Sequence, residues 1–188
     1  MKTINHGLIL IMVCFSACYT KSDMTAVVEE IGGDFRMMKN VNEYTFDLQL
    51  QPANYLIEKR IGTKNNSLPI DSIKMEYEGL LRFTLNLSRT DQTDLINDQK
   101  DVVEQQKSIY YFSYRFNKDI YLETAQDKIP VALYHFERSY DLKNNRSFVF
   151  AFDSEAIVGD KVRLVIDSDE LNTGPVKFRF DLNELNKI

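Results

Sequence analysis

Leu81-Arg82-Phe83-Thr84-Leu85-Asn86-Leu87 alternates without a fault. A strict period of two puts Leu81, Phe83, Leu85 and Leu87 on one face and Arg82, Thr84 and Asn86 on the other. That is the pattern of a strand with one buried side. Upstream, Tyr44-Thr45-Phe46-Asp47-Leu48-Gln49-Leu50 does the same, with Tyr44, Phe46, Leu48 and Leu50 together, and Pro52 stops it. Between these strands the period lengthens. Pro52 to Arg60 reads as a short helix closed by Gly62. Ser67 and Pro69 start a second, in which Ile70, Ile73, Tyr77 and Leu80 recur at intervals of three, four and three. Helix gives way to strand near Gly79.

Downstream, Arg89 to Lys107 is the most polar run of the chain, interrupted by Leu95, Ile96, Val102 and Val103. It reads as a solvated face, part of it helical. From Ser108 the aromatic residues predict strands again. Tyr110, Phe112, Tyr114 and Phe116 would share a face, with Tyr111, Ser113 and Arg115 on the other. Ile120-Tyr121-Leu122 continues the sheet to a turn at Gln126-Asp127-Lys128. One strand is then expected from Ile129 to Arg138, with Val131, Leu133, His135 and Glu137 on one side and Ala132, Tyr134 and Phe136 on the other. After a turn at Lys143-Asn144-Asn145 come three more stripes: Phe148, Phe150 and Phe152; Val162, Leu164 and Ile166; Val176, Phe178 and Phe180. Short strands every ten residues or so, without crossover helices in the second half, predict a mostly β chain: an antiparallel β-sandwich with one to three short helices. An immunoglobulin-like arrangement is one form this pattern allows.

The first residues carry a different message. Lys2 precedes the apolar run Gly7 to Phe15, followed by the small residues Ser16 and Ala17 and then Cys18. A charged start, a short apolar core and a small-residue cleavage site describe a secretory signal. Phe15-Ser16-Ala17-Cys18 resembles the lipobox of bacterial lipoproteins, although Phe15 stands where that family usually has Leu. The resemblance implies that Cys18 is acylated and becomes the first mature residue. Residues 1–17 would then be the signal, 18–25 a polar tether and 26–188 a single β-rich domain. More loosely, the mature chain resembles the small uncharacterised lipoproteins common in Bacteroidetes. By the same resemblance, outer-membrane localisation is expected, with the leaflet left open between periplasm and surface.

Composition narrows the chemistry. The 188 residues carry a net charge of −5, with 44% hydrophobic residues, 12 Phe and 10 Tyr, as in a chain able to bury a core. The acidic balance argues against nucleic-acid binding and against a polybasic surface that would help hold the chain on lipid. With Cys14 and His6 in the signal and Cys18 acylated, the domain has no free thiol and one imidazole, His135. Disulfides and Cys-based metal sites are excluded, and no cofactor or resident metal is expected.

Three groups remain as candidates. His135 and Glu137 share a strand face, where Arg115 could meet them as a polar cluster, but no G-x-S-x-G elbow supplies a nucleophile. Asp167 to Gly174 offers oxygen ligands for calcium, although Leu171 breaks the EF-hand spacing. Tyr111, Tyr121, Tyr134 and Tyr140 are expected at an exposed face or rim, suited to a protein or glycan partner. The expected function is accordingly a non-enzymatic binding or structural module. A carboxylate-dependent glycan hydrolase is the alternative.

Overall fold

The computed structural model describes residues 29–31, 34–61, 69–96, 98, 101–137 and 144–185. The signal, Cys18, the tether, Gly62, Ser67 and Tyr140 lie outside them.

Among the described residues, ten strands form two antiparallel sheets, as the alternation predicts. Four meander through the first: β1 (Glu29–Ile31), β2 (Asp34–Val41), β3 (Tyr44–Gln51) and β4 (Leu80–Arg89). The remaining strands are β5 (Ile120–Glu123), β6 (Lys128–Pro130), β7 (Leu133–Glu137), β8 (Arg146–Asp153), β9 (Lys161–Ile166) and β10 (Val176–Asp181). The larger sheet has the order β1-β2-β3-β4-β8-β7 and the smaller β10-β9-β5-β6. A four-strand meander extended by a returning hairpin differs from the strand order of immunoglobulin domains.

The apolar stripes of both sheets meet in one core. Phe46, Leu48, Leu50, Phe83, Leu85, Leu87, Phe148, Phe150 and Phe152 come from the larger sheet, and Leu122, Leu164, Ile166 and Phe178 from the smaller. Phe83 and Phe180 join the two layers, ring centroids 5.2 Å apart at 60°. Edge-to-face pairing of this kind adds to what burial alone supplies.

Helices α1 (Ala53–Ile61) and α2 (Ile70–Tyr77) appear where the period lengthens. Their Ile57 and Ile73 are buried. The Arg82 guanidinium lies 4.8 Å over the Tyr77 ring and donates to the Glu76 carbonyl at 2.7 Å, tying α2 to the outer face of β4. Gly79, at φ 78°, makes the left-handed step between α2 and β4 that other residues resist. A short α4 (Leu182–Leu185) follows β10.

Two expectations are overturned. The strand expected from Ser108 is instead the second half of a helix, α3 (Val102–Tyr114), which begins in the polar run where a helix was expected and is followed by a 3-10 turn at Phe116–Lys118. The Asp101 side chain accepts from the Glu104 amide at 2.9 Å and caps its N-terminus. Its inner face carries Ile109, Phe112 and, just beyond it, Phe116, at helical spacing. The run Tyr110-Tyr111-Phe112 is apolar on every face, so period two and period 3.6 fit it equally well. The second correction concerns Ile129 to Arg138. The chain changes sheets at Val131 and Ala132, so β6 belongs to the smaller sheet and β7 to the larger.

Candidate functional site

The polar run before α3 is only partly a solvated face. Asp94 is 8% exposed and Arg146, which extends the inner Phe148-Phe150-Phe152 stripe, is 4% exposed. Arg146 donates to both oxygens of the Asp94 carboxylate, which also accepts from the Ile96 amide at 2.7 Å. This ion pair closes one end of the core and brings Leu95 and Ile96 inside. Nothing in local sequence marks Asp94 off from its acidic neighbours.

Two of the expected rim tyrosines face inward. The Tyr111 hydroxyl donates to Asp119 at 2.6 Å and meets the Ser168 hydroxyl. Burial, then the bond to Asp119, raises its phenol well above the ordinary range. Ser168 is itself buried and accepts from the Leu171 amide at 3.2 Å. The Asp167 amide donates to the Asp119 carbonyl at 2.8 Å. These contacts pin the Asp167–Gly174 loop to the end of α3. Among the described residues, no three His, Cys, Asp or Glu groups converge as a metal set. Tyr134 donates to the Phe112 carbonyl, and burial raises its phenol too. Both tyrosines hold α3 in place; neither forms an exposed rim.

His135 and Glu137 do share the outward face of β7, and both are exposed. Arg115 is not on a neighbouring strand but at the C-cap of α3. The residues opposite His135 and Glu137 on β8 are Val149 and Ser147. Neither can act as the acid or base partner that the expected cluster required.

What stands exposed instead is a pair that the strand reading had buried. Tyr110 and Tyr114 lie one turn apart on α3, 57% and 62% exposed, with centroids 5.4 Å apart. Val103 is exposed on the same helical face, since intervals of seven and four share a stripe.

Among the described residues, Tyr121 is the one expected rim tyrosine found outward. It stands on the outer face of the smaller sheet, in the register row Lys177–Val165–Tyr121–Pro130; the next row reads Arg179–Arg163–Glu123–Lys128, and Asp181 pairs with Lys161. Five cations therefore share this face with two carboxylates. Lys128 lies over the Tyr121 ring at 4.3 Å, and Arg163 pairs with Glu123 at 3.1 Å. Val165 is fully covered on this otherwise polar surface.

Beside that face, Lys39 of β2 lies 5.3 Å from the Phe178 ring and donates to the Lys177 carbonyl of edge strand β10. Burial, then the Arg179 cation, lowers its pKa. β10 and β2 are thus neighbours across the two layers.

Together these features define an antiparallel β-sandwich with a basic outer sheet and a tyrosine-bearing helix on its β7 flank. Comparison of the chain with protein-family models, curated proteins and solved structures finds no match. No helix among the described residues is long and apolar enough to cross a membrane.

Proposed function

We propose that the chain is a cell-envelope lipoprotein of the outer membrane, acylated at Cys18, whose β-sandwich is a non-enzymatic binding or structural module for a protein or glycan partner. The observation that carries the binding role is the exposed Tyr110–Tyr114 pair on a helix anchored by Tyr111 and Tyr134. Rings held on a rigid element bury large area at small entropic cost when a partner arrives.

Acylation is tested by feeding labelled fatty acid to the native host. Label is expected on the protein and absent from Cys18→Ala; retention in that variant refutes acylation there. Binding is tested on a glycan array and by crosslinking in the envelope, comparing the chain with Tyr110→Ala/Tyr114→Ala. Capture that disappears in the variant supports the reading. Turnover of a bound glycan that is lost on replacing one carboxylate overturns it in favour of a hydrolase.

A further inference from the structure

The cations on the outer face of the smaller sheet are grouped against the charge of the chain. The whole carries −5, yet this one face sets Lys128, Lys161, Arg163, Lys177 and Arg179 against Glu123 and Asp181. Arg179 and Arg163 are direct cross-strand partners. Like charges directly opposite one another destabilise a sheet. Glu123 answers Arg163, and Asp181 is the register partner of Lys161, so Lys177 and Arg179 carry the excess along β10. An anion laid across β10 and β9 relieves that repulsion.

The make-up and position of the face select among anions. Its cations stand on neighbouring strands of one sheet face. The one aromatic ring on it, Tyr121, has Lys128 over its face and is not free to stack on a sugar. Position adds the third argument. Lys39 joins β2 to β10, so the basic edge lies on the side of the molecule where β1, and the chain leading back to Cys18, begins. Ten residues separate Cys18 from Glu29, eleven steps along the chain and a reach of roughly 36 Å when extended. The two layers of a sandwich are only about 10 Å apart. An acyl group at Cys18 therefore lets this face lie against a bilayer.

We propose that the outer face of the smaller sheet docks on an anionic lipid surface, reading headgroup phosphates through Lys177, Arg179, Arg163, Lys161 and Lys128. The choice of lipid rests on the acylation at Cys18 proposed above. One acyl signal joined to a basic patch is a recognised route to stable membrane attachment.

The test uses the full chain carrying Cys18→Ser, which has no acyl group, on vesicles of phosphatidylcholine with and without phosphatidylglycerol. The apolar run Gly7–Phe15 contributes to both vesicle types, so the quantity read is the ratio of anionic to neutral binding. Each cation near an anionic surface is worth roughly five-fold in affinity. Lys177→Gln/Arg179→Gln should lower the ratio about 30-fold, and added salt should lower it as well. Lys74→Gln, on exposed α2, should leave it unchanged. An unchanged thermal midpoint confirms that the exposed substitutions leave the fold intact. A ratio near one in the Cys18→Ser chain overturns the proposal, as does a ratio insensitive to the double substitution. Capture by a soluble acidic polysaccharide without vesicle preference also overturns it, assigning the face to glycan. Fatty-acid labelling separates the two readings: vesicle preference in a chain never labelled at Cys18 supports the docking face while refuting the anchor.

Discussion

Replacing Asp94 by Ala should be among the most damaging single substitutions in the chain. Both members of the Asp94–Arg146 pair are buried, at 8% and 4% exposure. Removing the carboxylate takes from the buried guanidinium an acceptor that it meets at both oxygens, and breaking a buried pair in this way costs about 3–5 kcal/mol. An exposed ion pair is worth at most about 1 kcal/mol, so the two cases are well separated. Against a total stability of about 5–15 kcal/mol, the loss is a large fraction. With a urea slope of about 1–3 kcal/mol per molar, the midpoint should fall by about 2 M. Equilibrium urea unfolding followed by far-UV circular dichroism reads this directly. Asp94→Asn keeps an acceptor for the Ile96 amide and should fall in between. The double variant Asp94→Leu/Arg146→Met should recover most of the loss, since apolar replacement of a whole buried pair is often neutral or better. A cost below about 1 kcal/mol for Asp94→Ala would show that water reaches Arg146 and that the pair does not close the core.

Phe148→Ala should cost about 3–5 kcal/mol in the same assay, because that fully buried ring touches Phe112, Phe116, Tyr134 and Phe136. Tyr111 and Tyr134 have phenols raised by burial, so the folded state keeps their protons where the unfolded state releases them. Stability should therefore fall as pH climbs above about 10, and Tyr111→Phe and Tyr134→Phe should each flatten that fall; an unchanged slope in both refutes the assignment. Gly79→Ala places a Cβ in open space at φ 78°, so its cost is conformational alone, about 1–2 kcal/mol by urea titration. His135→Ala, on an exposed strand face, should change stability by no more than about 0.5 kcal/mol.

The sandwich was legible because its strands bury one side only. In Tyr44–Leu50 and Leu81–Leu87, apolar and polar residues alternate in an unambiguous period of two. The register then follows, since a slip by one residue would turn every ring to water. The reading failed where apolar residues run together. Tyr110-Tyr111-Phe112 satisfies either period, and the deciding signal was the cap formed by Asp101 three residues before Glu104. That error propagated into the site. On a strand, Tyr111 would have been outside and Tyr110 and Tyr114 inside; the helix reverses all three. The sheet change at Val131 and Ala132 switches the inward face from Ile129 in β6 to Tyr134 and Phe136 in β7, and the consecutive apolar residues Val131, Ala132, Leu133 and Tyr134 hide that switch in the sequence. Arg146 with Asp94 was invisible for another reason: their 52-residue separation is closed only by the fold.

Net charge, too, averages over a surface on which the charges are sorted. A value of −5 argues against anionic partners only if the cations are dispersed. Sheet geometry disperses nothing. Alternation sends Lys161 and Arg163, and likewise Lys177 and Arg179, to one side of adjacent strands, while the acidic residues of Asp167–Gly174 lie in the loop between β9 and β10. The consequence for orientation is specific. With the smaller sheet's outer face against a bilayer, the larger sheet's outer face, with His135 and Glu137, points away from it. The Tyr110–Tyr114 pair then stands on the β7 flank, at the opposite edge of the larger sheet from β1, where the chain leads back to Cys18. A partner meeting those rings does so beside the membrane rather than through it. The basic face and the tyrosine pair can therefore be occupied together, and loss of either should leave binding at the other intact.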